Sequence, residues 1–298
     1  MKRIVITGAS GLLGEACCRL LKDDFVVIPL TRSDVDLADG DQLVDLLSDL
    51  EFDCLINTAA MSGLEQCLDN PELANKVNTN APRIMADICQ QNGAKMIQIS
   101  TDYVLEGRED VIHEETSLTR GSGVYSRTKL EAEREVMFAC ENSIVARVSW
   151  LFGYGRETFV DQVVNTVLAG DDGCYISDKF SVPNFSDYLV PVMRKLLESD
   201  LTGIVHLSND AGPESWYSYA QKILRVAINL GILNDNLTAI GKSNLDEIAF
   251  FKEERPRHTA MRPKRLSEEL NAEVRNWEIG VKEYLQRKYE NSLTNEKF

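Results

Sequence analysis

Patterned cysteines and long hydrophobic runs are both missing from this sequence. Its seven cysteines are scattered, and none forms a C-x-x-C pair or groups with the three histidines. The sequence therefore predicts no disulfide framework and no metal site, and unpaired buried thiols in a reducing compartment fit it best. The apolar run that opens the chain ends at a glycine after four residues, too short for a signal peptide or a membrane span, so we expect a cytoplasmic protein.

Positive charge is scarce as well. Lysine and arginine number 32 against 47 aspartates and glutamates, which gives a net charge of −15 and a pI near 4.7. Nucleic acid and anionic membrane surfaces need dense positive charge, so neither is expected as a main partner. An anionic small molecule stays open, provided that arginines or a helix N-terminus supply local positive charge. Hydrophobic residues make up 44%, enough for the core of one large domain or two coupled ones.

Short apolar segments alternate with segments of helical periodicity as far as Trp150. Five of them read as buried strands: residues 3–7, 25–30, 53–60, 95–100 and 143–150. Nearly continuous apolar strands between helices are typical of a parallel sheet covered on both faces. The pattern predicts an α/β fold with a doubly wound parallel sheet, the Rossmann architecture.

Three glycines directly follow the first predicted strand. Gly8, Gly11 and Gly14 form G-x-x-G-x-x-G at the head of the first predicted helix. Glycine lets the chain turn tightly and approach a pyrophosphate, whose charge then lies at the helix N-terminus. This strand-to-helix context is what identifies such a motif as dinucleotide-binding. A glycine-rich turn without a ligand is the alternative.

The second half has a looser rhythm and no clean linker. A sixth strand at 203–208 is expected to return to the sheet. We therefore predict a dinucleotide-binding domain over 1–152, rejoined by parts of 185–210. A smaller α/β substrate domain, interleaved with the first, is predicted over 153–298.

A tyrosine and a lysine four residues apart occur three times, at 125–129, 175–179 and 284–288. On a helix this spacing puts both side chains on one face, so a phenol would lie beside an ammonium. The spacing alone does not choose between the copies. Their surroundings distinguish them. Only the first copy follows a predicted strand with a hydroxyl residue, Thr101, at its carboxyl end, the edge where doubly wound folds bind ligands. We interpret the other two copies as surface residues.

Four segments in order resemble the extended short-chain dehydrogenase/reductases: TGASGLLG, NTAA at 57–60, STDYV at 100–104 and the Y-x-x-x-K of 125–129. Within that family, STDYVLEG, VYSRTKLEAE, RVSWLFG and ERPRHTAMRPKRL are similar to the dTDP-4-dehydrorhamnose reductase branch. The resemblance covers most of the chain and is strongest up to Trp150. The same branch includes proteins that resemble the regulatory β subunit of methionine adenosyltransferase, which share the cofactor site.

The resemblance implies a hydride-transfer reaction that depends on Thr101, Tyr125 and Lys129. A reduced nicotinamide would pass hydride to a ketone carbon, and Tyr125 would protonate the alkoxide as general acid. Lys129 would hold the nicotinamide ribose and lower the pKa of Tyr125 from its reference of about 10. Thr101 would donate a hydrogen bond to the oxygen as charge develops.

The resemblance also implies where the dinucleotide lies. The glycine loop would receive the pyrophosphate, an aspartate–leucine pair the adenine, and small residues after the third strand the rest of the cofactor. The cofactor-binding positions carried over are Gly8, Ser10, Gly11, Leu12, Leu13, Gly14, Asp36, Leu37, Ala59, Ala60 and Met61, together with Tyr125 and Lys129. For the aspartate–leucine pair, a solvated acidic loop is the alternative.

Arg32 ends the second predicted strand and bears on the choice of cofactor. An acid at this place binds the ribose 2′-hydroxyl of NAD, whereas an arginine favours the 2′-phosphate of NADP. Arg32 with Ser33 points to NADP(H), and Asp34 nearby keeps NAD(H) open. A solvent-facing arginine is the alternative, since loops at strand ends are exposed.

Four residues are expected to contact the substrate: Thr101, Asp102, Trp150 and Arg257. Asp102 matches a substrate-contacting position of the family, with a helix or turn cap as the alternative. The flat Trp150 ring can pack against a sugar or base, although a tryptophan after a core strand is as often core. Arg257 would meet a nucleotide-sugar diphosphate through its bidentate fork, or else belong to a basic loop. Asn78 matches a helix asparagine that braces the active site in relatives.

Two neighbours of the tyrosine depart from the family, since relatives have asparagine and glycine where Gly123 and Ser126 stand. The reaction class is therefore better defined than the substrate. We expect a reductase of a nucleotide-linked 4-keto-6-deoxy sugar, as in dTDP-rhamnose synthesis. A cofactor-binding regulatory or scaffold subunit without turnover is one alternative, and a nucleotide-sugar epimerase or dehydratase is another. Helices over 64–92 and 122–141 would offer a homodimer face, as in many relatives.

Overall fold

The computed structural model describes residues 1–108, 111–234 and 240–295, with side chains described as far as residue 290. Strands in this part of the chain are β1 Arg3–Thr7, β2 Val26–Leu30, β3 Cys54–Asn57, β4 Lys95–Thr101, β5 Ser143–Val148, β6 Leu151–Phe152, β7 Cys174–Ile176, β8 Phe180–Ser181, β9 Asn184–Phe185, β10 Gly203–His206, β11 Glu214–Ser215 and β12 Gly241–Ser243. Helices are α1 Leu12–Leu21, α2 Gly40–Ser48, α3 Leu64–Asp69, α4 Pro71–Asn75, α5 Ala81–Asn92, α6 Val124–Ala139, α7 Phe159–Leu168, α8 Ser186–Glu198, α9 Trp216–Asn229, α10 Lys264–Leu270 and α11 Trp277–Asn295. Shorter turns are a π-helical turn at Lys76–Asn80 and 3-10 turns at Asp102–Val104 and Leu245–Glu247.

Six of these strands form one parallel sheet in the order β2-β1-β3-β4-β5-β10. The central strands are buried on both faces, as their near-continuous apolar runs predict, and all seven residues of β4 are buried. Alternate side chains enter opposite layers, so that Ile4 and Ile6 pack with α1 and α8, whereas Val5 packs with α2 and α5. The predicted doubly wound α/β fold is therefore confirmed.

The strand order reverses beside β1. From β1 the chain passes to β2 on one side, and it later forms β3 on the other side, where Thr7 pairs with Asn57. The loops that leave β1 and β3 therefore diverge and open a crevice at the carboxyl ends of these strands, the usual ligand site of such folds. Because β4 pairs with β3 and ends at Thr101, its last residue reaches the same rim.

The chain returns to the sheet after leaving it. Helix α8 packs on α1, where the Arg19 guanidinium lies 2.6 Å from the Asp187 carboxylate. Strand β10 then pairs in parallel with β5, which confirms the predicted sixth strand and its return. Buried side chains of α9 and α11, such as Tyr219 and Trp277, extend the same hydrophobic cluster beyond the sheet. One continuous core thus joins both parts, and the predicted domain boundaries remain a prediction.

The interpretation of the two other tyrosine–lysine pairs as surface residues is wrong for Tyr175, Lys179 and Tyr284, which are buried, whereas Lys288 is exposed. Tyr284 is buried and donates to the Asp161 carboxylate at 2.7 Å, and the partly exposed Lys288 pairs with the same group. Lys179 is fully buried and donates to the Pro256 carbonyl at 2.8 Å. Local sequence windows could not reveal this, because these partners lie 123 and 77 residues away along the chain.

Neither disulfide bonds nor groups of metal-ligating side chains occur among the described residues. All seven cysteines are free, and all except Cys18 and Cys174 are buried. Among the described residues, no group of three or more His, Cys, Asp or Glu side chains is placed to hold a metal ion. Across the same ranges, none of the helices has the length and apolar content needed to cross a bilayer.

A buried ion pair ties α6 to the sheet. The Arg147 guanidinium on β5 donates to both carboxylate oxygens of Glu133 at 2.9 and 2.7 Å. Ser100 on β4 donates to the same carboxylate at 2.6 Å. The charged side chains are only 2% and 1% exposed. Removing one partner would leave the other charge buried and uncompensated, which is costly in the protein interior.

We expect Arg147→Met to lower the free energy of unfolding by about 3–5 kcal/mol, because the Glu133 carboxylate would lose its counter-charge. Adding Glu133→Gln should recover part of that loss. The matched control is Arg194→Met, which breaks an exposed pair with Asp24 at 2.7 Å and should cost less than about 1 kcal/mol. Urea denaturation followed by circular dichroism measures all three variants, and equal losses for the two single variants would contradict the importance of the buried pair.

Candidate active site

The glycine loop turns so tightly that side chains are excluded at two places. Gly8 has a φ of +69°, and a Cβ there would lie 2.7 Å from the Ala59 nitrogen and 2.8 Å from the Thr58 hydroxyl. A Cβ on Gly14 would meet the same hydroxyl at 2.8 Å. These close approaches hold the loop against the chain that leaves β3, beside the crevice where the strand order reverses.

Helix α1 begins without a side-chain cap. Its N-cap is Gly11, whose carbonyl accepts from the Glu15 amide at 2.8 Å. The amides of Leu12, Leu13 and Gly14 come earlier and have no intrahelical acceptor, while both leucine side chains are buried. Unpaired amides and the helix dipole together favour an anion, so the residues present fit the pyrophosphate of a dinucleotide.

The end of β2 leaves one arginine without a carboxylate partner. The Thr31 hydroxyl and amide both donate to Asp34 at 2.7 Å, and these bonds lower the pKa of that carboxyl. Arg32 is exposed, and no described residue forms an ion pair or hydrogen bond with its side chain. A cleft of about 440 Å³ runs along α1 beside the end of β2, and its lining includes Ser10, Glu15, Lys22 and Thr31. Arg32 follows Thr31 in the chain but does not line this cleft. An exposed arginine without a carboxylate partner is available to a phosphate.

The predicted adenine pair belongs to an ordered turn. Asp36 accepts from the Ala38 amide at 3.0 Å, and its own amide donates to Gln42 at 2.6 Å. Leu37 is half-buried and packs on the hydrophobic cluster beneath α2. The turn is therefore stabilised by its own contacts, and its role toward adenine remains a prediction.

Asn78 links the loop after β3 to α6. It is fully buried in the π-helical turn, where its amide accepts from the Met61 nitrogen at 2.8 Å and donates to the Met61 carbonyl at 3.0 Å. The same side chain donates to the Thr128 hydroxyl at 3.3 Å. Isolated π turns are frequent at functional sites. Met61, which follows the half-buried Ala59 and Ala60, is thus held by Asn78 at both its backbone amide and its carbonyl.

The three predicted catalytic residues meet at the carboxyl end of β4. Thr101 ends that strand, and Tyr125 and Lys129 lie one turn apart at the start of α6. Burial raises the pKa of Tyr125 well above its usual value, and a hydrogen bond with Thr101 partly opposes this. Lys129 is buried and its ammonium donates to the Ile99 carbonyl at 2.7 Å. A hydroxyl and a phenol in contact, with a lysine one turn away, can bind and protonate a carbonyl oxygen.

The expectation that Lys129 lowers the pKa of Tyr125 is not met. Burial dominates at the phenol, and the lysine is directed to a backbone carbonyl instead. Burial also lowers the pKa of Lys129 to about 8, although the negative charge of Glu133 opposes that shift. The phenol is consequently neutral at pH 7 and retains the proton that a general acid gives away.

Asp102 is buried between the two parts of the molecule. Its carboxylate accepts from Ser181 at 2.7 Å, from Thr259 at 2.5 Å and from Thr101 at 3.2 Å. Burial raises its pKa, and the charge of Lys179 opposes that shift. The carboxylate is thus neither open to a ligand nor a helix cap, and it connects Thr101 to the smaller predicted domain. A direct substrate contact remains a prediction that this arrangement does not favour.

Trp150 is half-buried and has a strained backbone, with a φ of +39°. Its ring stacks on Tyr219 at 6.1 Å and meets Trp216 edge-on at 6.0 Å. The ammonium of Lys179 lies 5.9 Å from the same ring and 4.6 Å from the Tyr103 ring. A bulky residue in this backbone region commonly marks a functional site. Lys179, which the sequence interpretation had placed on the surface, therefore belongs to the surroundings of the site.

Arg255 and Arg257 are already paired with carboxylates. Arg257 binds the carboxylates of Asp178 and Asp246, the latter at 2.7 Å. Arg255 is mostly buried and donates to both oxygens of Glu65 at 2.8 and 2.9 Å. A diphosphate at Arg257 would have to compete with two carboxylates, so this predicted contact is not supported by the side-chain arrangement.

Comparisons with known proteins identify the family and the fold. The sequence profile of a family described as RmlD substrate binding domain matches residues 1–290. The spore coat polysaccharide biosynthesis protein SpsK of Bacillus subtilis is 28% identical over 290 residues, which cover 97% of this chain and 98% of that protein. A solved dTDP-4-dehydrorhamnose reductase ortholog from Clostridium acetobutylicum is 26% identical with a TM-score of 0.88, covering 96% of this chain and 99% of its own. A Bacillus anthracis dTDP-4-dehydrorhamnose reductase solved in complex with NADP is 24% identical with a TM-score of 0.86, covering 96% and 98%.

Gly8→Ala should lower the free energy of unfolding by about 2–4 kcal/mol, because a left-handed backbone and a steric overlap would both be penalised. The matched control is Gly170→Ala, since Gly170 has a φ of +82° but nothing within 4 Å of its added Cβ. That control isolates the backbone cost, about 1 kcal/mol. Urea denaturation compares the two, and equal losses would contradict the close packing of the glycine loop.

Proposed function

The chain belongs to the RmlD substrate binding domain family, and from that premise we propose that it reduces a nucleotide-linked 4-keto-6-deoxy sugar with NADPH. It is an oxidoreductase of the extended short-chain dehydrogenase/reductase type. The observation that carries the proposal is that Thr101, Tyr125 and Lys129 lie at the rim of the sheet to which α1 also presents its uncapped start.

The proposed reaction adds a hydride and a proton across a carbonyl group. A bound reduced nicotinamide would supply the hydride to the ketone carbon. Thr101 would donate a hydrogen bond to the ketone oxygen and hold it beside Tyr125. As negative charge develops on that oxygen, Tyr125 would transfer its phenolic proton to it, which leaves an alcohol and a phenolate. Lys129 would hold the cofactor ribose and place positive charge one turn from that phenolate.

Arg32 supports NADP(H) over NAD(H). Its guanidinium has no carboxylate partner among the described residues, whereas the competing acid, Asp34, accepts two bonds from Thr31. Arginine binds a phosphate through charge-assisted hydrogen bonds. The solved Bacillus anthracis relative contains NADP, in keeping with this choice.

The contacts of Asp102 support a reductase over a dehydratase on the same fold. A dehydratase needs an acid beside its threonine that can exchange protons with the substrate. Asp102 is adjacent to Thr101, but its carboxylate is enclosed by the hydroxyls of Ser181 and Thr259. Structural neighbours that are epimerases or dehydratases are only 15% identical, a likeness of fold alone.

With dTDP-4-dehydrorhamnose and NADPH, the purified protein should consume NADPH, measured by its absorbance. Tyr125→Phe should reduce kcat by a factor of about 10²–10⁴, because the proton donor is lost, while NADPH still raises the melting temperature. The matched control is Tyr175→Phe from the second tyrosine–lysine pair, which should keep the wild-type rate. Cofactor binding without any turnover would overturn the proposal and favour a regulatory or scaffold subunit.

Arg32→Ala should raise the KM for NADPH about ten- to a hundredfold and leave the KM for NADH nearly unchanged, because only NADPH carries the 2′-phosphate. Arg225→Ala on α9 is the control, since it removes one exposed arginine far along the chain from the glycine loop. Steady-state kinetics with both cofactors measure the difference. An unchanged preference in the Arg32 variant would assign the 2′-phosphate to other residues or the protein to NAD(H).

A further inference from the structure

The first turn of α6 is capped by a distant part of the chain. Its N-cap residue is Gly123, which offers no side chain, and the Val124 amide donates to the carboxylate of Glu253. Glu253 and Val124 are 129 positions apart, and Glu253 is only 6% exposed. A buried carboxylate at the positive end of the helix satisfies an amide that would otherwise lack an acceptor. Glu253 therefore takes the place of an ordinary N-cap side chain.

A side chain at Gly123 would compete with this contact for space. Gly123 has a φ of −101° and a ψ of 177°, an extended backbone that any residue can adopt. A Cβ at this position, however, would lie 2.7 Å from Cδ and 3.1 Å from Cγ of Glu253. Ser126 completes the cap, since its hydroxyl accepts from the Gly123 amide at 2.8 Å. The two departures from the family around Tyr125 are thus parts of one capping arrangement that includes Glu253.

Glu253 is itself held in place. The Arg255 guanidinium donates to the Glu253 carbonyl at 2.8 Å and to both carboxylate oxygens of Glu65 on α3. Its charged group also lies 3.6 Å from the centre of the Phe251 ring. The next residue, Pro256, accepts from Lys179. Because Arg255 and Pro256 are both bound to other parts of the chain, the Glu253 carboxylate is held in place and can fix the position of the helix start.

The remainder of α6 has separate anchors. Thr79 donates to the Thr128 carbonyl at 2.9 Å, and the Thr128 hydroxyl accepts from Asn78. Further along, Glu133 pairs with Arg147 on the sheet. The first turn also has contacts of its own, since the Thr128 hydroxyl donates to the Tyr125 carbonyl at 2.9 Å and both Val124 and Tyr125 pack on a small hydrophobic cluster. None of these contacts supplies an acceptor for the Val124 amide. Loss of Glu253 would therefore leave that amide uncapped and loosen the first turn while the rest of the helix stays on the sheet.

We propose that Glu253 is a positioning residue, which fixes the first turn of α6 and thereby aims the Tyr125 phenol at the substrate carbonyl. This inference rests on the proposed reductase function, because it assumes that Tyr125 donates the proton. It gives the chain segment around Glu253 an indirect effect on the reaction, although no atom of Glu253 needs to touch the substrate. Small displacements of a reacting group reduce rates strongly, so the effect should appear in kcat.

The kinetic test compares Glu253→Ala, Glu253→Gln and Glu254→Ala. Glu253→Ala should lower kcat about ten- to a hundredfold and change the KM for NADPH less than about twofold, since the glycine loop is untouched. Glu253→Gln keeps an acceptor oxygen and should recover at least about half of the wild-type kcat. Glu254 is the matched control, because its side chain is exposed and forms a loose surface ion pair with Arg120 at 3.9 Å. A wild-type kcat in Glu253→Ala would overturn the inference.

A second test uses the space that Glu253 occupies at Gly123. Gly123→Ser alone should lower the melting temperature by about 2–4 °C, because the new side chain would overlap the Glu253 carboxylate. In a Glu253→Ala background the same change should raise the melting temperature and restore much of kcat, since a serine caps the helix in place of the lost carboxylate. Destabilisation by Gly123→Ser in both backgrounds would overturn the inference.

Failure of the proposed function and failure of the inference about Glu253 would give different results. A wild-type protein that binds NADPH without turning over dTDP-4-dehydrorhamnose would overturn the proposed function, and the inference about Tyr125 with it. Normal wild-type turnover with an unaffected Glu253→Ala variant would overturn the inference alone. Circular dichroism of each variant identifies any that fail to fold, and the Glu253→Gln variant then decides the kinetic comparison.

Discussion

The attachment of α6 to the sheet is the constraint on which the site depends. Glu133 on this helix binds Arg147 of β5 and Ser100 of β4, and all three are buried. Isolated charges are costly in such surroundings, so the carboxylate can be satisfied in only one orientation of the helix. That orientation brings Tyr125 to Thr101. The attraction within such a pair is largely offset by the cost of removing both charges from water, although breaking it is costly, and the pair can thus still determine where the proposed catalytic residues lie.

Polar contacts between the two parts of the chain converge on the same place. Asp102 at the end of β4 binds Ser181 and Thr259, and Glu253 caps the helix that contains Tyr125. Each contact pairs a group beside Thr101 or Tyr125 with one from the smaller predicted domain. The geometry of the proposed catalytic groups therefore depends on how that domain is packed, and the proposed site does not belong to the predicted dinucleotide-binding part alone.

The sequence was sufficient for features that depend on local patterning. Alternating apolar strands and helices predicted the sheet, and glycine spacing predicted a loop in which Gly8 and Gly14 leave no room for side chains. It was insufficient where a residue's partner lies far along the chain. Lys179 and Glu253 look like ordinary surface charges in their own segments, and only the fold gives them Pro256 and Val124 as partners. Arg257 shows the converse. Its own segment suggested an arginine available to a ligand, but in the fold its guanidinium is already bound by Asp178 and Asp246.

The departures beside Tyr125 bear on how such a site can vary. A side chain at Gly123 could cap α6 locally, but then the cap would be independent of the rest of the molecule. Here the cap comes from Glu253, in a segment fixed by Arg255 and followed by Arg257. Under the proposed function, a change in that segment would alter both the placement of Tyr125 and that of Lys179, which donates to Pro256 and lies beside the Trp150 ring. Because one segment affects both, substitutions there should change specificity and rate together, more than in a protein where the helix is capped by its own N-cap residue.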